Sequence, residues 1–99
     1  MRTRDIISRI GYVRNKANLS ARELSQRIGK SPQYISQLEN GRITLSVEKL
    51  ISILEVCDYP IEKFFYDNPE DYDIDKELIS MIKNLPSAKK SNLIELLKK

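Results

Sequence analysis

The stretch LSARELSQRIGKSPQYISQLENGR, residues 19–42, contains the start and stop signals of two consecutive short helices. Ser20 and Glu23 have the spacing of a capping box, in which each side chain bonds the backbone amide of the other residue, so a helix is predicted to start at residue 21. Gly29 readily adopts positive φ and is expected to end this helix. The first half of the stretch therefore predicts a short helix followed at once by a tight turn.

A second helix is predicted directly after this turn. Ser31 is expected to cap it and Pro32 to be its first residue, because the missing amide hydrogen of proline would have no helical partner there. The helix is predicted to run to Asn40 and Gly41. It should bury Ile35 and Leu38 and expose a polar face consisting of Gln33, Tyr34, Ser36 and Gln37.

The flanking sequence continues the helical pattern. Between Arg4 and Phe65 the apolar residues recur at helical spacing, with turn signals about every ten residues and no sustained alternation of period two. Ser46 is expected to cap a further helix whose inward residues are Val47, Leu50 and Leu54. We therefore predict an all-α first domain, residues 1–66, with about five short helices.

Two segments are predicted to follow this domain. The run DNPEDYDIDKE, residues 67–77, concentrates six acids around one proline and is interpreted as an acidic linker. Residues 78–99 form a C-terminal helical extension with two amphipathic helices, separated by Pro86 and Ser87. Its apolar stripes consist of Leu78, Ile79, Ile82 and Leu85, and of Leu93, Ile94 and Leu97.

The apolar stripes of the extension permit two interpretations. They could pack back on the same chain, or they could pair with a second chain. We favour pairing with a second chain, that is, dimerisation. The predicted dimerisation residues are Leu78, Ile82, Leu93 and Leu97.

The composition excludes several kinds of chemistry. The 99 residues include one cysteine, Cys57, and no histidine, so one chain can assemble neither a disulfide nor a usual zinc site. Catalytic triads that need histidine are excluded as well, and no Gly-rich phosphate loop is visible. We therefore expect no enzymatic activity, no metal and no cofactor, and interpret Cys57 as a small hydrophobic residue.

Charge and hydropathy narrow the choice of partners. No apolar stretch approaches the roughly 20 residues that span a bilayer, so a soluble, cytoplasmic protein without membrane contact is expected. Residues 1–66 carry 11 Lys/Arg against 7 Asp/Glu, whereas residues 67–99 carry 6 against 7. The first domain is thus the part suited to a polyanion, although the same charges would also suit an ordinary solvated surface.

Taken together and in this order, the capping box, the Gly29 turn and the helix ending QLENG, residues 37–41, resemble the Cro/C1-type helix-turn-helix family, also called the XRE family. The resemblance covers roughly Asp5 to Phe65. It implies a five-helix, lambda-repressor-like fold. It also implies sequence-specific binding to double-stranded DNA, with the second helix of the motif read as the recognition helix in the major groove.

The resemblance implies roles for individual residues. Base reading is implied for Gln33, Tyr34, Ser36 and Gln37. Glutamine suits this task because its amide can pair bidentately with adenine. Contacts with the DNA backbone are implied for Asn40, Gly41 and Arg42, and charge alone adds Arg22 and Lys30. An alternative role for Tyr34 is only to shield the recognition helix.

Other expectations concern structure rather than contact with DNA. The resemblance implies that Arg14 and Glu39 form a structural ion pair that helps fix the turn. Asn18 and Asp58 lie at helix ends where glycine is typical, and both residue types tolerate the left-handed conformation. The departures from the family pattern are Ala21, Ser25 and Leu45, at positions where Gln, Ala and Pro are usual. Because Ala21 replaces a glutamine, one phosphate contact of the family is expected to be missing.

Phe64 and Phe65 are expected to close the core at the end of the fifth helix, with a partner surface as the alternative.

The sequence leaves two functions open. The leading hypothesis is a transcriptional regulator that acts as a repressor in the manner of the family and binds an inverted-repeat operator as a homodimer. A two-fold dimer would place two recognition helices one turn of DNA apart and multiply specificity. The alternative is an antitoxin-like interaction module, whose C-terminal helices cover a small protein partner and whose helix-turn-helix serves autoregulation.

Overall fold

The structure, a computed structural model, describes residues 2–98. Within these residues the regular secondary structure consists of helices, with no strand, which confirms the predicted all-α class. The helices are α1 (Thr3–Lys16), α2 (Ala21–Arg27), α3 (Tyr34–Glu39), α4 (Val47–Val56), α5 (Ile61–Phe64), α6 (Pro69–Lys83) and α7 (Ser87–Leu97). The described chain divides into two compact units, residues 2–64 and 65–98.

The first unit has one hydrophobic core, to which each of its five helices contributes. The most deeply buried side chains are Ile10, Val13, Leu24, Ile35, Leu38, Ile53 and Phe64, joined by Leu19, Leu50 and Leu54. Burying one such side chain stabilises the fold by roughly 1.5–3 kcal/mol. Because no helix of this unit exceeds 14 residues, its stability depends on this shared core rather than on helix propensity.

The predicted N-terminal caps of α2 and α4 are confirmed. The Ser20 Oγ accepts the Glu23 amide at 3.0 Å, and the Ser20 amide donates to the Glu23 carboxylate at 3.0 Å. The bond from the Ser20 amide favours the charged carboxylate, so it is the main cause that holds the pKa of Glu23 below its ordinary value. Ser46 caps α4 through its side chain, with its Oγ accepting the Lys49 amide at 3.2 Å.

Helices α1 to α4 all end in the same backbone motif. In each, the second residue after the helix adopts a left-handed conformation, and two reversed hydrogen bonds satisfy the last carbonyls of the helix. For α2, Gly29 has φ 74°, and Lys30 donates to the Ser25 carbonyl at 2.9 Å. The corresponding left-handed residues of α1, α3 and α4 are Asn18, Gly41 and Asp58. The expectation for Asn18 and Asp58 is thereby confirmed.

The start of α3 differs from the prediction. The helix begins at Tyr34 rather than at Pro32, and Pro32 and Gln33 belong to a turn. This turn is closed by a bond from the Tyr34 amide to the Ser31 carbonyl at 3.0 Å. The predicted cap by the Ser31 side chain is therefore wrong. Its physical reason is that the amide of Ile35, in the first turn of α3, is satisfied from α2 instead.

Two predicted core positions are also wrong. Val47 is 69% exposed, because it is the first residue of α4 and lies at the margin of the buried stripe formed by Leu50, Ile53 and Leu54. Phe64 is fully buried as expected, but Phe65 is 49% exposed. The core closes at Phe64, the last residue of α5, and the compact unit ends there.

The second unit contains α6 and α7. Helix α6 starts at Pro69, with Asn68 as its cap, so most of the stretch predicted as an acidic linker is helical. The physical reason is that proline is favourable at the first helical position, and that Glu70 and Asp71 lie at the positive end of the helix dipole. The Tyr66 hydroxyl donates to Asp75 at 3.1 Å, and this bond raises the pKa of Tyr66.

The left-handed turn at Gly29 yields a stability prediction. We expect Gly29→Ala to lower the free energy of unfolding by about 1 kcal/mol, because alanine is strained at positive φ. No heavy atom lies within 4 Å of the added Cβ, so the effect is conformational rather than steric. Urea unfolding measures it. Gly29→Asn is the matched control and should lose less, and an equal loss in both variants would contradict the conformational explanation.

Candidate nucleic-acid interface

Helix α3 presents two opposite faces. Ile35 and Leu38 are fully buried in the core. Gln33, Ser36 and Gln37 are exposed, and their spacing of three and four residues puts them on one stripe of the helix. Successive residues of a helix are about 100° apart, so this stripe lies opposite Ile35 and Leu38. The first unit therefore displays a short polar helix face that its own core does not use.

Tyr34 lies at the border between these faces. Its side chain is half-buried and packs against the core, while the Lys30 ammonium lies 5.4 Å from the centre of its ring. Such a cation–π contact contributes roughly 0.5–1 kcal/mol at an exposed site. The structure thus brings Lys30 of the turn together with Tyr34 of α3. The buried part of the Tyr34 side chain covers the core, as the shielding alternative expects.

The other predicted DNA-backbone residues lie at the ends of α2 and α3. Asn40 is the C-terminal cap of α3, followed by Gly41 with φ 72° and by exposed Arg42. Arg22 is exposed in the first turn of α2. The residues predicted to contact DNA at α3 and its two ends therefore all lie between Lys30 and Arg42, whereas Arg22 belongs to α2.

Arg14 of α1 and Glu39 of α3 form a bidentate ion pair. The Arg14 Nε donates to Glu39 Oε2 at 2.9 Å, and Nη2 donates to Oε1 at 3.0 Å. The remaining nitrogen, Nη1, donates to the carbonyl of Leu19 at 3.0 Å. The bond with Glu39 is the main cause that raises the pKa of Arg14. The pair joins the last residue of α3 to α1 and to the loop before α2.

Glycine makes room for this ion pair. A Cβ added at Gly11 would lie 3.2 Å from Oε1 of Glu39, which is tighter than an ordinary van der Waals contact. Helix α1 can therefore approach the carboxylate closely at this point. Sequence reasoning did not single out Gly11; a glycine in the middle of a helical pattern was the available signal.

Sequence reasoning also missed a buried polar contact between α2 and α3. Ser25 is fully buried, and its Oγ accepts the backbone amide of Ile35 at 2.9 Å. The same Oγ donates to the carbonyl of Ala21 at 2.7 Å. The signal in the sequence was a serine at a position where a small apolar residue is usual. It shows that a hydroxyl is present but not which backbone group it bonds.

The remaining candidates lie outside α3 in the sequence. Cys57 is half-buried against the core, and burial raises the pKa of its thiol. Across residues 2–98, no group of three His, Cys, Asp or Glu residues could hold a metal ion. None of the helices described is both long and apolar enough to cross a membrane. Of the predicted dimerisation residues, Leu78 and Leu97 are exposed, whereas Ile82 and Leu93 are half-buried.

Two helices joined by a glycine turn, with a polar face on the second, define a helix-turn-helix protein of the DNA-binding class. The family model described as helix-turn-helix matches residues 10–64, and the chain belongs to this family, in its Cro/C1 or XRE type. It is therefore a DNA-binding transcription regulator. No curated protein and no solved structure matches the chain.

The ion pair yields a prediction about stability. The two side chains are only 16% and 22% exposed, so removing one leaves a charge that is partly buried and unpaired. We expect Arg14→Met and Glu39→Met each to lower the free energy of unfolding by about 2 kcal/mol. The double variant should lose less than either single one. Urea unfolding of all four proteins measures the cycle, and strictly additive losses would contradict the coupling.

Proposed function

We propose that this regulator is a repressor that binds an inverted-repeat operator as a homodimer, with α3 in the major groove. The observation that carries the proposal is the exposed polar stripe on α3, opposite a fully buried apolar face. The buried face ties the helix to the core, so the stripe is held outward. An α-helix fits the width of the major groove, where each base pair presents a distinct pattern of donors and acceptors.

Base reading is assigned to the residues of this stripe and its border. Gln33 and Gln37 each offer an amide that can donate and accept at adenine, and Ser36 adds a small hydroxyl between them. Tyr34 is half-buried, so its reach is limited to its exposed edge, which suits a thymine methyl or a phosphate. These four residues would carry the sequence preference of the protein.

Contacts with the sugar-phosphate backbone are assigned to the residues at the helix ends. Backbone amides and cations both address phosphate oxygens, and this group contains Arg22, Lys30, Asn40, Gly41 and Arg42, all of them exposed. The positive balance of residues 1–66, with 11 Lys/Arg against 7 Asp/Glu, supports the same orientation. These contacts would position α3 rather than select the sequence.

A homodimer is supported by the second unit, which has no core of its own. Neither α6 nor α7 contains a buried residue. Both helices carry exposed apolar side chains: Ile74, Leu78, Ile79, Met81, Ile94, Leu96 and Leu97. A unit of about 35 residues with this much exposed apolar surface is expected to be covered by another chain.

Charge favours a second copy of this chain as the cover. Residues 67–77 carry six acids and one lysine, whereas residues 83–98 carry four lysines and one acid. A two-fold pairing can set the acidic part of one copy against the basic part of the other, and this happens twice in one dimer. The apolar contact would include Leu78, Ile82, Leu93 and Leu97. Repression would follow because a dimer on the operator excludes polymerase from the same DNA.

The first test is selection of bound duplexes from a random DNA pool at about 0.15 M salt. We expect an inverted repeat whose half-sites are about 10 base pairs apart. The logarithm of affinity should fall by about 0.9 per phosphate contact for each tenfold rise in salt. A salt slope near zero, or no enriched sequence, would overturn DNA recognition. A single enriched half-site would keep it and overturn the dimer.

Two glutamines provide a matched comparison on the selected operator. Gln37→Ala should weaken binding to the operator by about 1–3 kcal/mol and leave binding to an unrelated duplex nearly unchanged. Gln26 is an exposed glutamine of α2, and Gln26→Ala should change neither. If the two variants behave alike, Gln37 does not read bases.

The dimer is tested by introducing a charge at one of two positions on α6. Leu78→Asp places a carboxylate on the proposed interface and should convert the dimer to a monomer, because an unpaired charge is costly to bury. Ser80→Asp introduces the same charge at an exposed polar position and should leave the dimer intact. Light scattering measures the mass. A wild-type monomer would contradict the proposal and favour the antitoxin-like module with a small protein partner.

A further inference from the structure

The first turn of α3 is not capped by its own sequence. A helix leaves its first amides without partners inside the helix, and α3 has only six residues in which to form such bonds. The residue before it, Gln33, makes no side-chain cap bond. The Tyr34 amide reaches back to the Ser31 carbonyl. The next amide, that of Ile35, depends on a residue of a different helix.

That residue is Ser25 of α2. A serine hydroxyl has one hydrogen and two lone pairs. The hydrogen is committed to the Ala21 carbonyl at 2.7 Å, so a lone pair is directed to the Ile35 amide at 2.9 Å. Ser25 and Ile35 are both fully buried, so water has no access to replace the bond. The hydroxyl thus links the middle of α2 to the start of α3 at one fixed point.

We propose that Ser25 is a positioning residue for DNA recognition: it caps α3 from α2 and sets the place of the first turn of α3. The inference rests on the proposed base-reading role of that helix. Gln33, Ser36 and Gln37 all lie within four residues of Tyr34, where α3 begins, so a shift at the start of the helix moves all of them. A bidentate amide contact tolerates little displacement, because hydrogen bonds weaken steeply away from linear geometry.

The consequence differs from a loss of stability. When alanine replaces Ser25 and the hydroxyl is lost, the Ile35 amide is buried without an acceptor, and the start of α3 has to shift to satisfy it. Contacts with phosphates come from flexible cations and adapt to such a shift, whereas base contacts do not. Ser25 therefore acts on the ratio between specific and non-specific affinity. A partly unfolded protein would lose both affinities in the same proportion.

The test compares two serines that make the same bond within their helices. The Ser52 Oγ donates to the Glu48 carbonyl at 3.0 Å in α4, as Ser25 does to Ala21 in α2. We expect Ser25→Ala to reduce the ratio of operator affinity to non-specific affinity about tenfold, as expected for partial loss of the base contacts. Ser52→Ala should leave the ratio at the wild-type value. Titrations on both duplexes at low temperature measure it.

A second readout needs no DNA. Hydrogen exchange of the Ile35 amide, measured by NMR in the free protein, should become faster in Ser25→Ala and remain slow in Ser52→Ala. Should Ser25→Ala not fold, Ser25→Cys keeps a weak acceptor of similar size and should give a smaller fall in the ratio. A folded Ser25 variant with the wild-type ratio and a slow Ile35 amide overturns the inference. Failure of wild-type protein to prefer any duplex instead overturns the proposed function.

Discussion

Helix α3, the proposed recognition helix, has six residues and cannot hold its own conformation in water, and the first unit is organised around this constraint. The helix is held at both ends by side chains from other helices. At its start, the buried hydroxyl of Ser25 accepts the amide of Ile35. At its end, Glu39 receives two hydrogen bonds from Arg14. Between these two points Ile35 and Leu38 are fully buried, so the polar face has one orientation available.

The same constraint explains why helix endings matter in this fold. Short helices have a large share of their backbone groups at the termini, where no partner exists within the helix. The first four helices solve the problem at their C-terminal ends with one motif, a left-handed residue and two reversed bonds. Glycine supplies that residue after α2 and α3, and Asn18 and Asp58 supply it after α1 and α4.

The two units differ in how far they bury their own apolar side chains. The first buries apolar residues from five helices in one core. The second has apolar residues at helical spacing but no buried side chain, so its stability is expected to depend on another chain. This difference fits the proposal that the first unit reads DNA and the second brings two readers together. Oligomeric state would then be coupled to the order of α6 and α7.

Signals that act over a few residues were determined by the sequence alone. The cap at Ser20, the turn at Gly29 and the end of α3 all depend on neighbouring backbone, so local spacing predicted them. The left-handed Asn18 and Asp58 and the ion pair of Arg14 and Glu39 were expected through the family resemblance. The tertiary structure decided features that depend on residues distant along the chain. They include the start of α3 at Tyr34, the exposure of Val47 and the partner of Ser25, because a buried amide takes the acceptor that packing brings to it.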